Sequence, residues 1–392
     1  MSHSKRPEAD LLLRCARTCM DEDRAAQLRA LLLQDLDWDC VLRMALRHGV
    51  MPLLYVHLNA ICPEAVPRSA FERMQDCFHA NARRNLFLAA QLLHLLNLFE
   101  ANSIPAAPYK GPVLAVSVYG DLAFRPFTDL DIFVHKHNVP KAKEILISQG
   151  YQMDRRLTAA QEAAYLESQC EVHSWCDGGR IRVELQWAIA PRCYGLSLDP
   201  EGLWERLSGV SFAGTTVRGF SPEDSILIHC VHGYKHCWER LGLICDVAEL
   251  IRAHPEMNWE RVMERSKMSG SERITLLGLC LANDLLGAGL PERVARKVRD
   301  EPAVKWLARQ VEIKLFQEPS RPPRPFDGLR FRLRARERWR DRVFYCLRRA
   351  ITTTADDWAF FPLPDSLFPL YYPLRPIRLV GKCGVAAFVT KR

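Results

Sequence analysis

The sequence has few of the features that would place it in a membrane, in an oxidising compartment or among zinc-binding modules. Its 14 Cys are scattered, and no paired C-x-x-C clusters of the zinc-ribbon type occur. Met1 to Arg6 are not followed by an apolar signal core. The most apolar stretch, Leu86 to Phe99, is interrupted by polar residues and stays short of the ~20 apolar residues of a spanning helix. We therefore expect reduced thiols, a cytoplasmic location and no membrane span.

Positive charge is concentrated near the C-terminus. The formal net charge is +8, and between Arg321 and Arg349 eleven Arg stand against three acids. A stripe of this kind attracts phosphates, nucleic acid or an anionic membrane surface. It is equally typical of a solvated helix face, so both interpretations stay open. The proline-rich start, Arg321 to Pro325, predicts a linker.

The length of 392 residues exceeds the ~100–200 residues usual for one domain, so several packed units are expected. Apolar residues recur at helical spacing over 1–103, including one long helix from about Arg68 to Ala101. A mixed α/β unit is predicted over 104–215 and a second helical region over 216–320. Region 321–392 combines the Arg-rich helix with a tail rich in Pro and aromatics. The predicted fold class is α+β, with a small mixed-sheet core embedded in N- and C-terminal helical regions.

Local patterns place several elements in the α/β unit. They predict a short extended segment, a helix from Pro112, a strand, a second helix and two strands joined at Asp177-Gly178-Gly179, which is a strong hairpin signal. The corresponding ranges are Ile104–Tyr109, Pro112–Tyr119, Asp129–Val134, Val139–Ser148, Cys170–Cys176 and Arg180–Ala188.

Two carboxylates share one face of a predicted strand. Side chains alternate along a strand, so Asp129 and Asp131 point to one side while Leu130 and Ile132 face the core. Like charges at that spacing repel unless a cation lies between them, and hard oxygen ligands suit Mg²⁺. The motif alone is weak, because acids commonly line the solvent side of an edge strand.

A third acid and a phosphate-type turn belong to the same unit. Glu184 lies on the polar face of a strand whose other face is apolar, and its alternative role is an ion pair with Arg182. Lys110 and Gly111 precede a helix N-terminus, where a close backbone approach and a cation would suit phosphate oxygens. Taken alone, this turn is also a weak signal.

An ordered set of residues joins these positions into a longer match. It comprises Tyr109-Lys110-Gly111, Arg125, Asp129-Leu130-Asp131 and Val183-Glu184-Leu185-Gln186-Trp187, followed by His232-x-x-x-His236-x-Trp238-x-x-Leu241, Asp246, Asn258-Trp259, Leu363-Pro364 and Leu374-Arg375-Pro376. The set covers roughly 104–380. It resembles the nucleotidyltransferase superfamily that includes polymerase β, specifically a bacterial branch usually called uncharacterised nucleotidyltransferases.

The resemblance implies a role for each matching residue. Asp129 and Asp131 would hold two Mg²⁺ ions, and Glu184 would be the third ligand and a base for the acceptor hydroxyl. Lys110 and Gly111 would stand at the phosphate-binding turn. Arg125 would contact phosphate or neutralise the acidic pair.

Two positions depart from the family pattern. Pro112 follows Gly111 where the superfamily normally has Ser or Gly, which removes a hydroxyl and a backbone donor. Gln186 stands where the branch commonly has His, so an imidazole on the face of Glu184 is missing. Both departures favour the alternative of a non-catalytic nucleotide-binding scaffold that has kept the fold.

Two histidines mark a candidate acceptor or nucleotide pocket. His232 and His236 lie one helical turn apart, but no carboxylate stands between them as in H-E-x-x-H, so they are a poor zinc signal. They belong either to this pocket, with Gln186 and Asp246, or to the packed interior. Asp246 could also hold a His in one tautomer.

The predicted function is Mg²⁺-dependent transfer of a nucleoside monophosphate from an NTP to an acceptor. The branch looks associated with peptide tailoring and polysaccharide assembly, so the acceptor class stays open among peptide, sugar and small molecule, with nucleic acid as a further option. Two alternatives remain: a catalytically inactive nucleotide-binding scaffold, and a basic module that binds nucleic acid or membrane. No residue pattern indicates an oligomeric state.

Overall fold

The computed structural model describes residues 6–317 and 327–379. The N-terminal region that precedes the sheet is helical, as predicted. Five helices precede the sheet: α1 Pro7–Cys15, α2 Glu22–Leu32, α3 Trp38–His48, α4 Met51–Ile61 and α5 Arg68–Ala101. The side chains of Asp21 and Asp37 accept hydrogen bonds from first-turn N–H groups of α2 and α3, which defines where these helices begin.

The long helix α5 contributes one face to the core of the sheet. Leu88, Leu92, Leu95 and Phe99 are buried there. Leu86 is exposed on the other side, so the apolar second half of this helix is buried along one face only.

Five strands form a mixed sheet in the order β1-β2-β5-β4-β3. Their bounds are β1 Ala106–Pro108, β2 Leu130–Val134, β3 Gln152–Met153, β4 Glu171–Cys176 and β5 Ile181–Gln186. Strands β2 and β5 are parallel, and the other neighbours are antiparallel. The register places Asp131 beside Glu184, and Glu184 beside His173. Because residues paired across neighbouring strands face the same side, these three side chains form a row.

Further elements surround the sheet. They are α6 Gly111–Ser117, α7 Val139–Ser148, α8 Ala159–Ser168, α9 Pro200–Glu205 and the hairpin of β6 Ser208–Phe212 with β7 Thr215–Gly219. The predicted α7 and the hairpin turn at Asp177–Gly179 are confirmed. Helix α8 and strands β6 and β7 are elements that the sequence patterns did not predict. Strand β2 begins one residue later than predicted, which leaves Asp129 just before it.

The predicted second helical region follows. It contains α10 Pro222–Lys235, α11 Leu241–Ala253, α12 Trp259–Met268, α13 Glu272–Leu286, α14 Glu292–Asp300 and α15 Pro302–Phe316. Ser221 caps α10 by accepting a hydrogen bond from the backbone N–H of Asp224. Within the described ranges, no helix is long and apolar enough to cross a membrane.

The C-terminal region consists of α16 Asp327–Arg334, α17 Trp339–Ile351 and α18 Ala355–Phe360, and residues 371–379 are also helical. Ala355, Trp358 and Tyr371 form a small core that packs against Tyr165 of α8. The tail therefore covers part of the α/β unit. The predicted linker, Arg321 to Pro325, lies outside the described residues.

Candidate active site

The predicted site residues surround one cavity of about 580 Å³. Nine of the ten line it: Lys110, Gly111, Arg125, Asp129, Asp131, Glu184, His232, His236 and Asp246. The cavity lies between the sheet and the helices α10 and α11. Gln186 is the exception, because its side chain is fully buried beneath the cavity.

Three carboxylates meet at the sheet side of this cavity. Asp131 and Glu184 lie opposite each other on the parallel strands β2 and β5, and Asp129 stands at the entry to β2. Burial raises the pKa of Asp131, and the charge of Asp129 adds to this effect. Burial, together with the charges of Asp131 and Asp129, raises the pKa of Glu184 to about 7. These acids are therefore under a like-charge strain that a bound cation would relieve.

Lys110 pairs with one of these three carboxylates. Its Nζ lies 3.2 Å from Oδ1 of Asp131, and both side chains are buried. Gly111 begins α6 with a φ of +55°, and a Cβ at this position would lie 3.3 Å from the carbonyl oxygen of Asp129. The turn thus needs glycine both for its backbone conformation and for its close approach to the first acid.

Gln186 connects the acids to the protein interior. Its Nε2 donates a hydrogen bond of 2.7 Å to Asp131 and a weaker one of 3.5 Å to Glu184. Its Oε1 accepts a hydrogen bond from the hydroxyl of Tyr109. A carboxamide donates and accepts at once, so Gln186 holds both acids without entering the cavity.

Arg125 and Asp246 form a buried ion pair with each other. The guanidinium donates two hydrogen bonds, of 2.7 and 2.9 Å, to the two carboxylate oxygens of Asp246. The hydroxyl of Tyr119 donates a third, at 2.6 Å. Burial alone would raise the pKa of Asp246, but Arg125 reverses this and holds it below its usual value. The pair joins the loop before β2 to α11, and Asp246 receives no hydrogen bond from a histidine among the described residues.

His232 and His236 form one wall of the cavity. Their ring centroids lie 4.6 Å apart with the planes tilted by 58°. Burial and the nearby Lys110 charge lower the pKa of His232 well below its usual value, so this ring is neutral at neutral pH. Among the residues that the structure describes, neither belongs to a group of three potential metal ligands. His229 is buried outside the cavity and bonds to the carbonyl of Ser225.

Strand β4 contributes side chains to the site that the sequence patterns did not indicate. Nε2 of His173 lies 3.6 Å from Glu184 and 3.7 Å from Glu171, and ligand atoms of these three residues all lie within 4.8 Å of one another. Lys235 of α10 pairs with Glu171 at 3.3 Å. The proposed alternative for Glu184 also occurs, because Arg182 contacts it at 2.9 Å. The predicted strand ends would have paired Cys176 with Arg180 and placed His173 opposite Val183. In the structure Cys176 pairs with Ile181 instead, and this shift of one residue places His173 opposite Glu184.

The architecture is of the α+β class: a mixed five-stranded sheet presents carboxylates to a cavity, with helical regions before and after it. The chain belongs to the family described as uncharacterised nucleotidyltransferase, whose profile matches residues 34–287. That range includes every residue predicted for the site. No curated protein matches the chain.

Two solved structures show remote similarity. One is the solution structure of the antibiotic-resistance factor ANT(2'')-Ia, with 16% identity, 45% of this chain and 89% of that chain covered, and a TM-score of 0.32. The other is a crystal structure of an antigenic nucleotidyltransferase-like protein from Paracoccidioides brasiliensis, with 14% identity, 58% and 92% coverage, and a TM-score of 0.32. At these scores neither comparison informs the site.

Proposed function

We propose that this chain transfers a nucleoside monophosphate from an NTP to an acceptor hydroxyl or phosphate in an Mg²⁺-dependent reaction, as in the superfamily that includes polymerase β. The observation that carries the proposal is the meeting of Asp129, Asp131 and Glu184 at one cavity, with Asp131 and Glu184 on adjacent parallel strands and Asp129 just before the first of them. Family membership supports the same reaction class.

The donor set fits divalent magnesium. Three carboxylates supply the hard oxygen ligands that Mg²⁺ prefers. Burial raises the pKa of Asp131 and of Glu184, and the neighbouring carboxylate charges add to this effect, which a bound cation would offset. Asp129, Asp131 and Glu184 would hold the ions. When bound, Mg²⁺ would neutralise phosphate charge and lower the pKa of the acceptor hydroxyl.

The remaining residues would position the substrates. Lys110 would offer its ammonium group to phosphate oxygens once a metal ion takes over the charge of Asp131. Gln186 would keep Asp131 and Glu184 oriented, because it donates to both. His232 and His236 would contact the acceptor or the nucleotide as neutral rings. The acceptor is a peptide, a sugar, a small molecule or a nucleic acid.

A second candidate is a nucleotide-binding scaffold without turnover. Two observations favour it: Lys110 already neutralises Asp131 by an internal ion pair, and Pro112 offers no N–H at the start of α6. A scaffold would bind NTP and release no pyrophosphate with any acceptor.

Pyrophosphate release with each NTP, across a panel of acceptors and with or without Mg²⁺, tests the two functions. We expect Mg²⁺-dependent release that falls by at least ~100-fold in Asp129→Asn and Asp131→Asn. Asp76→Asn, an exposed acid on α5, is the matched control and should keep full activity. NTP binding by calorimetry without release across the panel would favour the scaffold. Full activity in both variants would refute the assignment of the acids.

A further inference from the structure

Helix α17 exposes its apolar residues on the side that faces away from the protein. Five large side chains are between 45% and 71% exposed: Trp339, Val343, Phe344, Leu347 and Ile351. Four of them recur at intervals of four and therefore form one stripe along the helix. The opposite side is packed, because Tyr345 is buried against the guanidinium of Arg336 at 4.6 Å. A surface helix normally has the reverse polarity.

The outward surface around this stripe is basic. Four exposed arginines lie in or next to the helix: Arg338, Arg340, Arg342 and Arg349. The neighbouring acids are turned inward. Glu337 accepts a hydrogen bond of 2.7 Å from the backbone N–H of Arg273, and Asp341 is half-buried on the side of Tyr345. The stripe is thus bordered by positive charge.

This combination discriminates among the partners that a basic surface can bind. A second copy of the chain would bring the same arginines against each other, and like charges oppose such a contact. A nucleic acid would use the arginines but leave the apolar stripe in water. An anionic bilayer satisfies both, since acidic headgroups attract Arg and the headgroup boundary accepts Trp, Phe and Leu side chains.

We propose that α17 binds the surface of bilayers that contain anionic phospholipids, lying in the plane of the interface with Trp339, Val343, Leu347 and Ile351 inserted. The tail carries further exposed apolar side chains, namely Phe360, Leu367, Leu370, Tyr372 and Ile377. Arg375 of this tail donates a hydrogen bond to the carbonyl of Arg349 at the end of α17. The inference uses none of the cavity residues and is independent of the proposed reaction.

Flotation of the full chain with vesicles tests the proposal. We expect binding to vesicles of phosphatidylcholine mixed with phosphatidylglycerol, no binding to phosphatidylcholine alone, and weaker binding as salt increases. Val343→Gln combined with Leu347→Gln should reduce binding at least ~10-fold, because the exposed stripe loses its apolar centre. Leu33→Gln combined with Leu86→Gln removes two exposed leucines elsewhere and should leave binding unchanged.

Three results would overturn the proposal. The first is absence of binding to the mixed vesicles at low salt. The second is a dimer in solution that Val343→Gln with Leu347→Gln converts to monomer, which would make the stripe a self-association surface. The third is vesicle binding that the variant Val343→Gln with Leu347→Gln retains, combined with binding to an oligonucleotide that is as tight as binding to vesicles. This result would assign the arginines to nucleic-acid binding.

Discussion

Removal of the Arg125 side chain distinguishes a structural role from phosphate binding. In the structure, both hydrogen bonds that Arg125 makes to a carboxylate go to Asp246, which is 4% exposed. The substitution Arg125→Met keeps the side-chain volume approximately and removes the charge. Asp246 would keep one partner, the hydroxyl of Tyr119.

The expected cost follows from the burial of Asp246. Removing one partner of a buried ion pair typically costs about 3–5 kcal/mol, because the remaining charge is left without compensation. The retained Tyr119 hydrogen bond places our expectation near the lower end, at about 3 kcal/mol. Replacing the whole set by Arg125→Met, Asp246→Leu and Tyr119→Phe leaves no buried charge and should recover most of that loss.

Urea unfolding followed by circular dichroism measures these free energies. The triple variant is the control, since it tests whether the cost arises from the uncompensated carboxylate. NTP affinity, measured by calorimetry on folded protein, should change by less than ~3-fold in Arg125→Met. A destabilisation below ~1 kcal/mol with a large loss of NTP affinity would refute the structural role and identify Arg125 as a phosphate ligand.

Three further predictions concern single side chains. Gln186→Leu should reduce activity at least ~10-fold, because Asp131 loses a 2.7 Å hydrogen bond; unchanged kcat would contradict this. Gly111→Ala should reduce activity and should lower the free energy of unfolding by about 1–2 kcal/mol, because the residue has a positive φ and the added Cβ would contact the carbonyl oxygen of Asp129. Equal unfolding midpoints for the two proteins would contradict this prediction. Burial lowers the pKa of His48 to about 4, so the unfolded chain binds more protons below pH ~6.5. The free energy of unfolding should therefore decrease as the pH falls from ~6.5 to 4, and this residue contributes up to about 3 kcal/mol of the decrease. His48→Asn should make the decrease smaller. Parallel profiles of unfolding free energy against pH for the two proteins would refute this prediction.

Local patterns were sufficient for much of the fold. Strand alternation alone predicted that Asp129 and Asp131 share one side, because successive side chains point to opposite faces of a strand whatever lies around it. The helix α5, the helix α7 and the hairpin turn depend on periodicity, proline and glycine in the same local way. The apolar period did not predict that Leu86 would be exposed, since which face of a helix packs depends on its neighbours.

The partners of the site residues were decided by tertiary structure. Arg125 and Asp246 are separated by 121 positions, and no spacing rule connects them. Glu171 and His173 entered the site because β5 lies between β2 and β4, a strand order that alternation does not specify.

In the Arg-rich segment, too, the sequence determined one property and the tertiary structure another. Its charge was evident from the sequence, but packing determined which side of α17 faces outward. Periodicity thus specifies the faces of each element, whereas burial and strand order determine what each face contacts, because contacts between distant residues arise only when the chain packs into one core.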